Sequence, residues 1–392
     1  MNVPAVVQPA PVPATVSRAR RRAVIFVPGL KRRERNQQRD ALVENLLLNE
    51  DVPLRRSASD GDEIKIAGTA GVRLKAARTG TETDPPAPGE IDIFEAYWGD
   101  QLPVDAEQQP LRRMTRGLAL LRYWFVSPMW GAFSSTSWQI PAGLLLGGGA
   151  LVLWYLSLLA TFAGQWLDPA SDLTAQAKQL MSFAPWLADW LAVPIAYVAS
   201  WRIWPLISLL LPITPIMVIV DHAQAVRLLL TNAMDEKGIG RRARVRKAVA
   251  DVLSAAAEAR TSDGEPAYSE IVIVGHSFGT IILIDVLADW PYEAELAKLS
   301  VVTLGSPQSV LARRSSWLKE ETRRLMQERR VSAWTDISGE DDYLSAPIDG
   351  HKAAYGTACA LTLSLEQSGL PFSTSAHDAY LASYEVLRLI VR

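Results

Sequence analysis

From residue 123 to residue 167 the chain carries no Asp, Glu, Lys, Arg or His. Helices on a soluble protein normally keep one wetted, charged face, so a run like this must lie against lipid or deep in protein. Within it, residues 140–163 read IPAGLLLGGGALVLWYLSLLATFA. That is long enough to cross a hydrocarbon core of about 30 Å, which takes about 20 helical residues. A second apolar region, 183–220, is interrupted by Asp189 and Arg202. Its prolines at 185, 194, 205, 212 and 215 leave open whether it forms one kinked helix or two. Nine of the 13 tryptophans fall between Trp124 and Trp204, and Trp is enriched where a bilayer meets water. A buried helical pair, or a cap over a site, is the alternative. Helices that lie flat on a membrane carry a charged face, and 140–163 has none, so spanning is the expectation.

The flanks set an orientation. Arg112, Arg113, Arg116 and Arg122 precede the run, RRARVRK at 241–247 follows the second apolar region, and the loop between carries Asp168, Asp172 and Lys178. Positive flanks stay in the cytoplasm, which places both outer segments there. If those segments form one domain, the number of crossings must be even, and two is the expectation. The expected organisation is a disordered tail at 1–22, a first domain part at 23–122, a hydrophobic membrane insertion at 123–220 and a second domain part at 221–392. In the tail, Pro4, Pro9, Pro11 and Pro13 sit among small residues, with no charge before Arg18. That is the wrong order for a secretory signal. The expected location is a membrane, the bacterial inner membrane, with the folded domain on the cytoplasmic side.

Charge and cysteine usage narrow the partners. Among 392 residues, 40 basic ones face 42 acidic ones, for a formal net charge of -2. A nucleic-acid protein would show a domain-wide basic excess. The basic runs at 18–22, 31–35 and 241–247 read as solvated surface, or as flanks that favour anionic lipid. The single cysteine, Cys359, permits no intramolecular disulfide and reads as a small buried residue.

Outside the insertion, strand and helix patterns alternate. AVIFV at 23–27 is a buried strand ending in Pro28-Gly29, and 34–48 has helical spacing. The stretch 57–89 reads as loop with a short hairpin, and 91–98 alternates like a strand. Long helical stretches cover 223–260, broken near Gly238 and Gly240. Further strands are expected at 271–274, 299–304 and 331–335, and a closing helix at 378–391. This alternation predicts an α/β fold with a mostly parallel sheet covered on both faces.

The chemistry centres on IVIVGHSFGT at 271–280. A buried strand runs straight into Gly275-His276-Ser277-Phe278-Gly279, and an apolar helix follows. The glycines allow a tight turn and close backbone approach, and the turn lifts the Ser277 oxygen clear of the sheet at a helix N-terminus. On these residues the chain resembles the α/β-hydrolase superfamily, its lipases and esterases in particular. The resemblance covers 23–30 and most of 269–392. VVTLGSPQ at 301–308 is similar to the strand and turn after the elbow in many lipases. VSAWTDISGEDDYLSAP at 331–347 resembles the segment that bears the family's acid, and SAHDAYLAS at 375–383 the one that bears its histidine. The resemblance implies an α/β-hydrolase sheet interrupted by the membrane insertion, and a Ser-His-Asp triad.

A serine hydroxyl needs a neighbouring base, and the chain has four histidines. His276 sits inside the elbow and should point away from the serine oxygen, and His222 borders the apolar region. His351 lies in a loop. His377 stands before the final helix and gives the chain order Ser, Asp, His. Asp342, just after the strand that carries Trp334, is the preferred acid, with Asp341 and Asp336 as alternatives. The oxyanion donors are expected at the backbone N–H groups of Phe278 and Leu30, although Pro28-Gly29-Leu30 lacks the His-Gly common in the family. No zinc, P-loop or dinucleotide signature is found, so neither metal nor cofactor is expected. The expected activity is cleavage of an acyl ester, with a lipid from the bilayer as the candidate substrate. A thioesterase, amidase or acyltransferase with the same triad, or a silent membrane scaffold, are the alternatives, and the pattern is silent on oligomeric state.

Overall fold

The computed structural model describes residues 21–31, 33–49, 54–56, 64–76, 89–102, 119–120, 122–124, 145, 148–158, 206, 216–235, 237–342, 344–365 and 375–391. Nine strands form one mixed sheet. They are β1 (Arg21–Val27), β2 (Leu54–Arg56), β3 (Ile64–Ile66), β4 (Thr69–Ala76), β5 (Glu90–Glu95), β6 (Glu270–His276), β7 (Leu299–Leu304), β8 (Ala333–Gly339) and β9 (Ala360–Leu363). The order is β2-β4-β5-β1-β6-β7-β8-β9, with β3 paired to β4. From β5 to β9 neighbouring strands are parallel. At the other end β4 runs antiparallel to β2, β3 and β5.

The central strands are apolar on both sides because helices cover both faces. Along β1, Ala23, Ile25 and Val27 enter one core, while Val24 and Phe26 enter the other. The principal helices are α1 (Gln37–Leu48), α2 (Ile216–Leu230), α3 (Arg241–Glu258), α4 (Phe278–Ala288), α5 (Ser316–Glu328), α6 (His351–Tyr355), α7 (Ser375–Asp378) and α8 (Tyr384–Val391). Helix α3 buries Val245, Val249, Val252, Leu253 and Ala256, one stripe at helical spacing, on the first core. Helices α4 and α5 share that face, and α1 and α8 cover the other.

Several expectations shift. Strand β1 starts at Arg21, not residue 23, and Arg22 is buried, its guanidinium 2.6 Å from Glu270 and bonded to the Ile390 carbonyl. It therefore belongs to the fold and not to a solvated run. The hairpin of β3 and β4 joins the main sheet through β4. Strand β8 begins two residues later than the 331–335 pattern and runs on to Gly339, because it pairs with β9, which the sequence pattern missed. Helix α5 was also missed. The closing helix is split, since Ser383 adopts an extended conformation between α8 and the 3-10 turn Ala379–Ala382. Cys359 is partly exposed, not buried, in a short turn before β9. The 241–247 arginines are engaged within the fold: Arg242 with Asp285 and Glu321, Arg246 with Asp289, Arg244 with Asp235.

Residues 1–20 of the expected tail lie outside the described residues, whereas Arg21 and Arg22 belong to β1; most of the expected insertion is likewise outside them. Within the insertion, 148–158 is helical. Its Leu151 packs with Leu120, Trp124 and Ala223, while Val152, Leu153 and Leu156 stay exposed. Among the described residues no helix is long and apolar enough to cross a membrane.

Candidate active site

Four loops meet at the carboxyl ends of parallel strands, where open α/β sheets bind their ligands. They follow β1, β6, β7 and β8. The chain leaves β1 toward β5 on one side and reaches β6 on the other, so the topology reverses at β1. Ser277 stands at the end of β6.

The turn at Ser277 is strained. Its backbone has φ 55° and ψ −126°, a conformation costly for a residue with a Cβ, about 1–3 kcal/mol. Its surroundings hold it there. The Ser277 N–H donates to the Leu304 carbonyl at 2.8 Å, and its carbonyl accepts from the Thr280 hydroxyl at 2.7 Å. That hydroxyl also pairs with Ser306 at 2.7 Å. Gly275, within β6, registers with Val27 and Thr303. At Gly279 a Cβ would sit 2.2 Å from the Val27 carbonyl oxygen, so only glycine lets α4 pass so close to the end of β1. A Cβ on Gly29 would lie 2.9 Å from the Ser277 Cβ. The β1 loop therefore presses directly against the serine, and Leu30 follows at once.

His377, in α7, is 7% exposed. Its Nδ1 donates to Asp342 Oδ2 at 2.7 Å, and its Nε2 has no hydrogen-bond partner among the described residues. Asp342 is buried in the turn after β8 and accepts two further bonds, from the Tyr380 hydroxyl at 2.8 Å and from the Leu344 N–H at 3.0 Å. Burial works against its charge. The hydrogen bond and positive field of His377, with the Tyr380 and Leu344 donors, outweigh burial and hold the carboxyl below its ordinary value.

Of the three aspartates considered from sequence, the histidine bond goes to Asp342. Asp336 lies within β8, with one oxygen accepting from Thr303 at 2.7 Å and the other from the Ile348 N–H at 2.8 Å. Burial raises its pKa to about 6. Asp341 precedes Asp342 in the same turn and makes no bond to the ring.

His276 and His377 come together, with ring centroids 4.9 Å apart. His276 Nε2 donates to the His377 carbonyl at 2.8 Å. Burial, then the neighbouring His377, lower its pKa to about 4, which keeps the ring neutral. The elbow and the histidine loop are thus on the same side of the fold and in direct contact. His351 is elsewhere, its Nε2 bonded to the Trp334 carbonyl at 3.1 Å and its ring stacked on Tyr355. His222 lies on α2.

Of the two expected oxyanion donors, Phe278 is the first residue of α4. The first N–H groups of a helix have no intrahelical partner. Leu30 is mostly buried in the β1 loop, which is pinned by a bond from Trp98 Nε1 to the Pro28 carbonyl at 2.9 Å. Trp98 also packs near Phe278 at 6.1 Å.

Two contributors escaped the sequence reading. Tyr380 is fully buried and touches the acid, and the H-x-x-Y spacing across one helical turn from His377 was the available signal. Asp378, next to the histidine, pairs with Lys31 and Arg33. Nothing local in the sequence joins residues so far apart. Among the described residues no group of His, Cys, Asp and Glu could hold a metal ion.

Searches of protein-family models, curated proteins and solved structures found nothing that matches this chain.

Proposed function

We propose that the protein is a membrane-attached serine hydrolase of the α/β-hydrolase type, and that it cleaves acyl esters by a two-step transfer through Ser277. The observation that carries this reading is the Asp342–His377 bond on an imidazole whose Nε2 has no partner among the described residues, in a loop that touches the strained Ser277 elbow. A carboxylate at Nδ1 fixes the tautomer and supports the cation that forms when Nε2 takes a proton.

In the first step His377 takes the Ser277 proton as the serine oxygen attacks the ester carbonyl. The Phe278 and Leu30 N–H groups stabilise the developing oxyanion. The tetrahedral adduct collapses, the ester oxygen leaves with the proton from His377, and an acyl-serine remains. Water then gives its proton to His377 as it attacks the acyl group. The acid departs, and Ser277 regains its proton.

The stems of the insertion favour an acyl ester from a bilayer. The chain leaves the sheet at Gln101, after β5, and α3 resumes there with Arg241 bonded to the Gln101 carbonyl. Helix α2 ends at Leu230, whose carbonyl accepts from Trp317 at the start of α5. Both contacts lie at the carboxyl edge, so an apolar segment anchored there would hold Ser277 toward the lipid. The exposed Val152, Leu153 and Leu156 fit such a contact. The same site would serve thioester, amide or acceptor-alcohol chemistry.

Labelling with a fluorophosphonate tests the reading. Wild type should label and Ser277→Ala should not, and labelling that survives the substitution removes Ser277 from the mechanism. A panel of lipid and short-chain esters, acyl thioesters and amides, each with and without an acceptor alcohol, then assigns the reaction.

A further inference from the structure

The dipeptide His377-Asp378 touches every other loop of the candidate site. The His377 ring reaches Asp342, and its carbonyl is held by His276 beside the nucleophile. The next side chain, Asp378, turns to the β1 loop. Its Oδ2 accepts from Lys31 Nζ at 3.0 Å and its Oδ1 from Arg33 at 2.7 Å. Burial opposes the Asp378 charge, but the Lys31 hydrogen bond and the two nearby cations outweigh it and keep the carboxyl ionised.

An acid between two basic residues is ordinarily an incidental surface pair. Here each oxygen holds a different cation, and the anchors matter by position. Asp378 is bonded in sequence to the candidate base, and Lys31 and Arg33 stand one and three residues beyond Leu30. That loop already presses Gly29 against Ser277. An oxyanion donor must sit within about 3 Å of the developing charge, and a misplacement of about 1 Å can cost about a hundredfold in rate.

We propose that Asp378 is a positioning residue: through Lys31 and Arg33 it locks the β1 loop onto the histidine loop and so sets the Leu30 N–H relative to Ser277. The proposal rests on the serine-hydrolase reading for its catalytic consequence. Its mechanical content, a loop held by a carboxylate, can be measured without turnover.

The test uses the full-length protein with Asp378→Asn, Arg33→Gln and the double variant. Because the Asp378 side chain is one-third exposed, such pairs contribute little to global stability, and the thermal midpoint should stay near wild type. Expected are a fall in kcat of about ten- to a hundredfold with KM within about twofold, and faster amide exchange across residues 28–36. The double variant should lose no more than the worse single one, since both remove the same tie, and Asp378→Glu should recover part of the rate. Unchanged exchange in Asp378→Asn overturns the clamp, whether or not the protein turns over any ester. Losses that multiply in the double variant overturn it too. If wild type neither labels nor hydrolyses, the serine-hydrolase reading falls, and exchange alone then decides the clamp.

Discussion

Two histidines meet opposite ends of β8, His351 at Trp334 near its start and His377 at Asp342 in the turn after it. His351 and His377 are both buried, each sits in a short helix, each has a tyrosine one turn on, and each leaves one ring nitrogen without a partner among the described residues. They differ in what the other nitrogen meets. His351 faces the Trp334 carbonyl, a neutral acceptor, and burial lowers its pKa. His377 faces the Asp342 carboxylate. A carbonyl orients a ring, whereas a carboxylate also stabilises its cation. The aspartates divide in the same way. Asp336 is spent on Thr303 and a backbone N–H and is pushed up, while Asp342 is held down by donors. Burial is common to both places, so burial does not distinguish the two imidazoles. The charge of the partner does.

The largest test of that contrast removes the group His377 would serve. Ser277→Ala should lower ester turnover by about 10⁴-fold or more and abolish labelling. Next, His377→Gln should cost about 10³- to 10⁴-fold in kcat, whereas His351→Gln should leave kcat within about twofold and lower stability by about 1–2 kcal/mol in urea unfolding. Equal losses from the two would erase the distinction. Asp342→Asn should cut kcat by about 10²- to 10⁴-fold with a near-native melting curve. Asp336→Asn should do the reverse, with turnover kept and about 1–3 kcal/mol of stability lost as its paired donors meet a weaker acceptor.

The smallest effect concerns the third buried imidazole. His276 has a pKa of about 4 when folded, against an ordinary value of 6.5. Between those values the unfolded chain binds more protons, so this group makes stability rise with pH, by about 1.4 kcal/mol per unit, and lose that contribution as pH falls from 6.5 toward 4. Asp336, Glu95 and Glu321, all raised by burial, work in the opposite direction. The readout is therefore the difference between wild type and His276→Gln. The variant should show a flatter loss of stability on acidification over that window, and parallel curves would mean that His276 is not buried as a neutral ring.

Strand patterns near the elbow were readable because both faces of β1, β6 and β7 are apolar, and a buried run announces itself without any partner. Strand β9 was not, since ALTL is short and half-exposed and becomes a strand only by pairing with β8. The arginines at 241–247 look like a membrane flank in one dimension. In three dimensions Asp285, Glu321 and Asp289, brought in by α4 and α5, pair with Arg242 and Arg246. Among Asp336, Asp341 and Asp342 no spacing rule could decide, because the choice depends on which carboxylate the turn after β8 swings toward α7.

What the chain determines by itself is local. Hydrophobic periodicity makes the strands and helices, and Gly275 and Gly279 around Ser277 permit the strained bend, because side-chain size and backbone freedom act between neighbours. Folding alone decides which acid meets His377, that Tyr380 joins it, and that Asp378 reaches back to Lys31 and Arg33. Those contacts join residues tens to hundreds of positions apart, and hydrogen bonds depend on distances that only the packed sheet supplies.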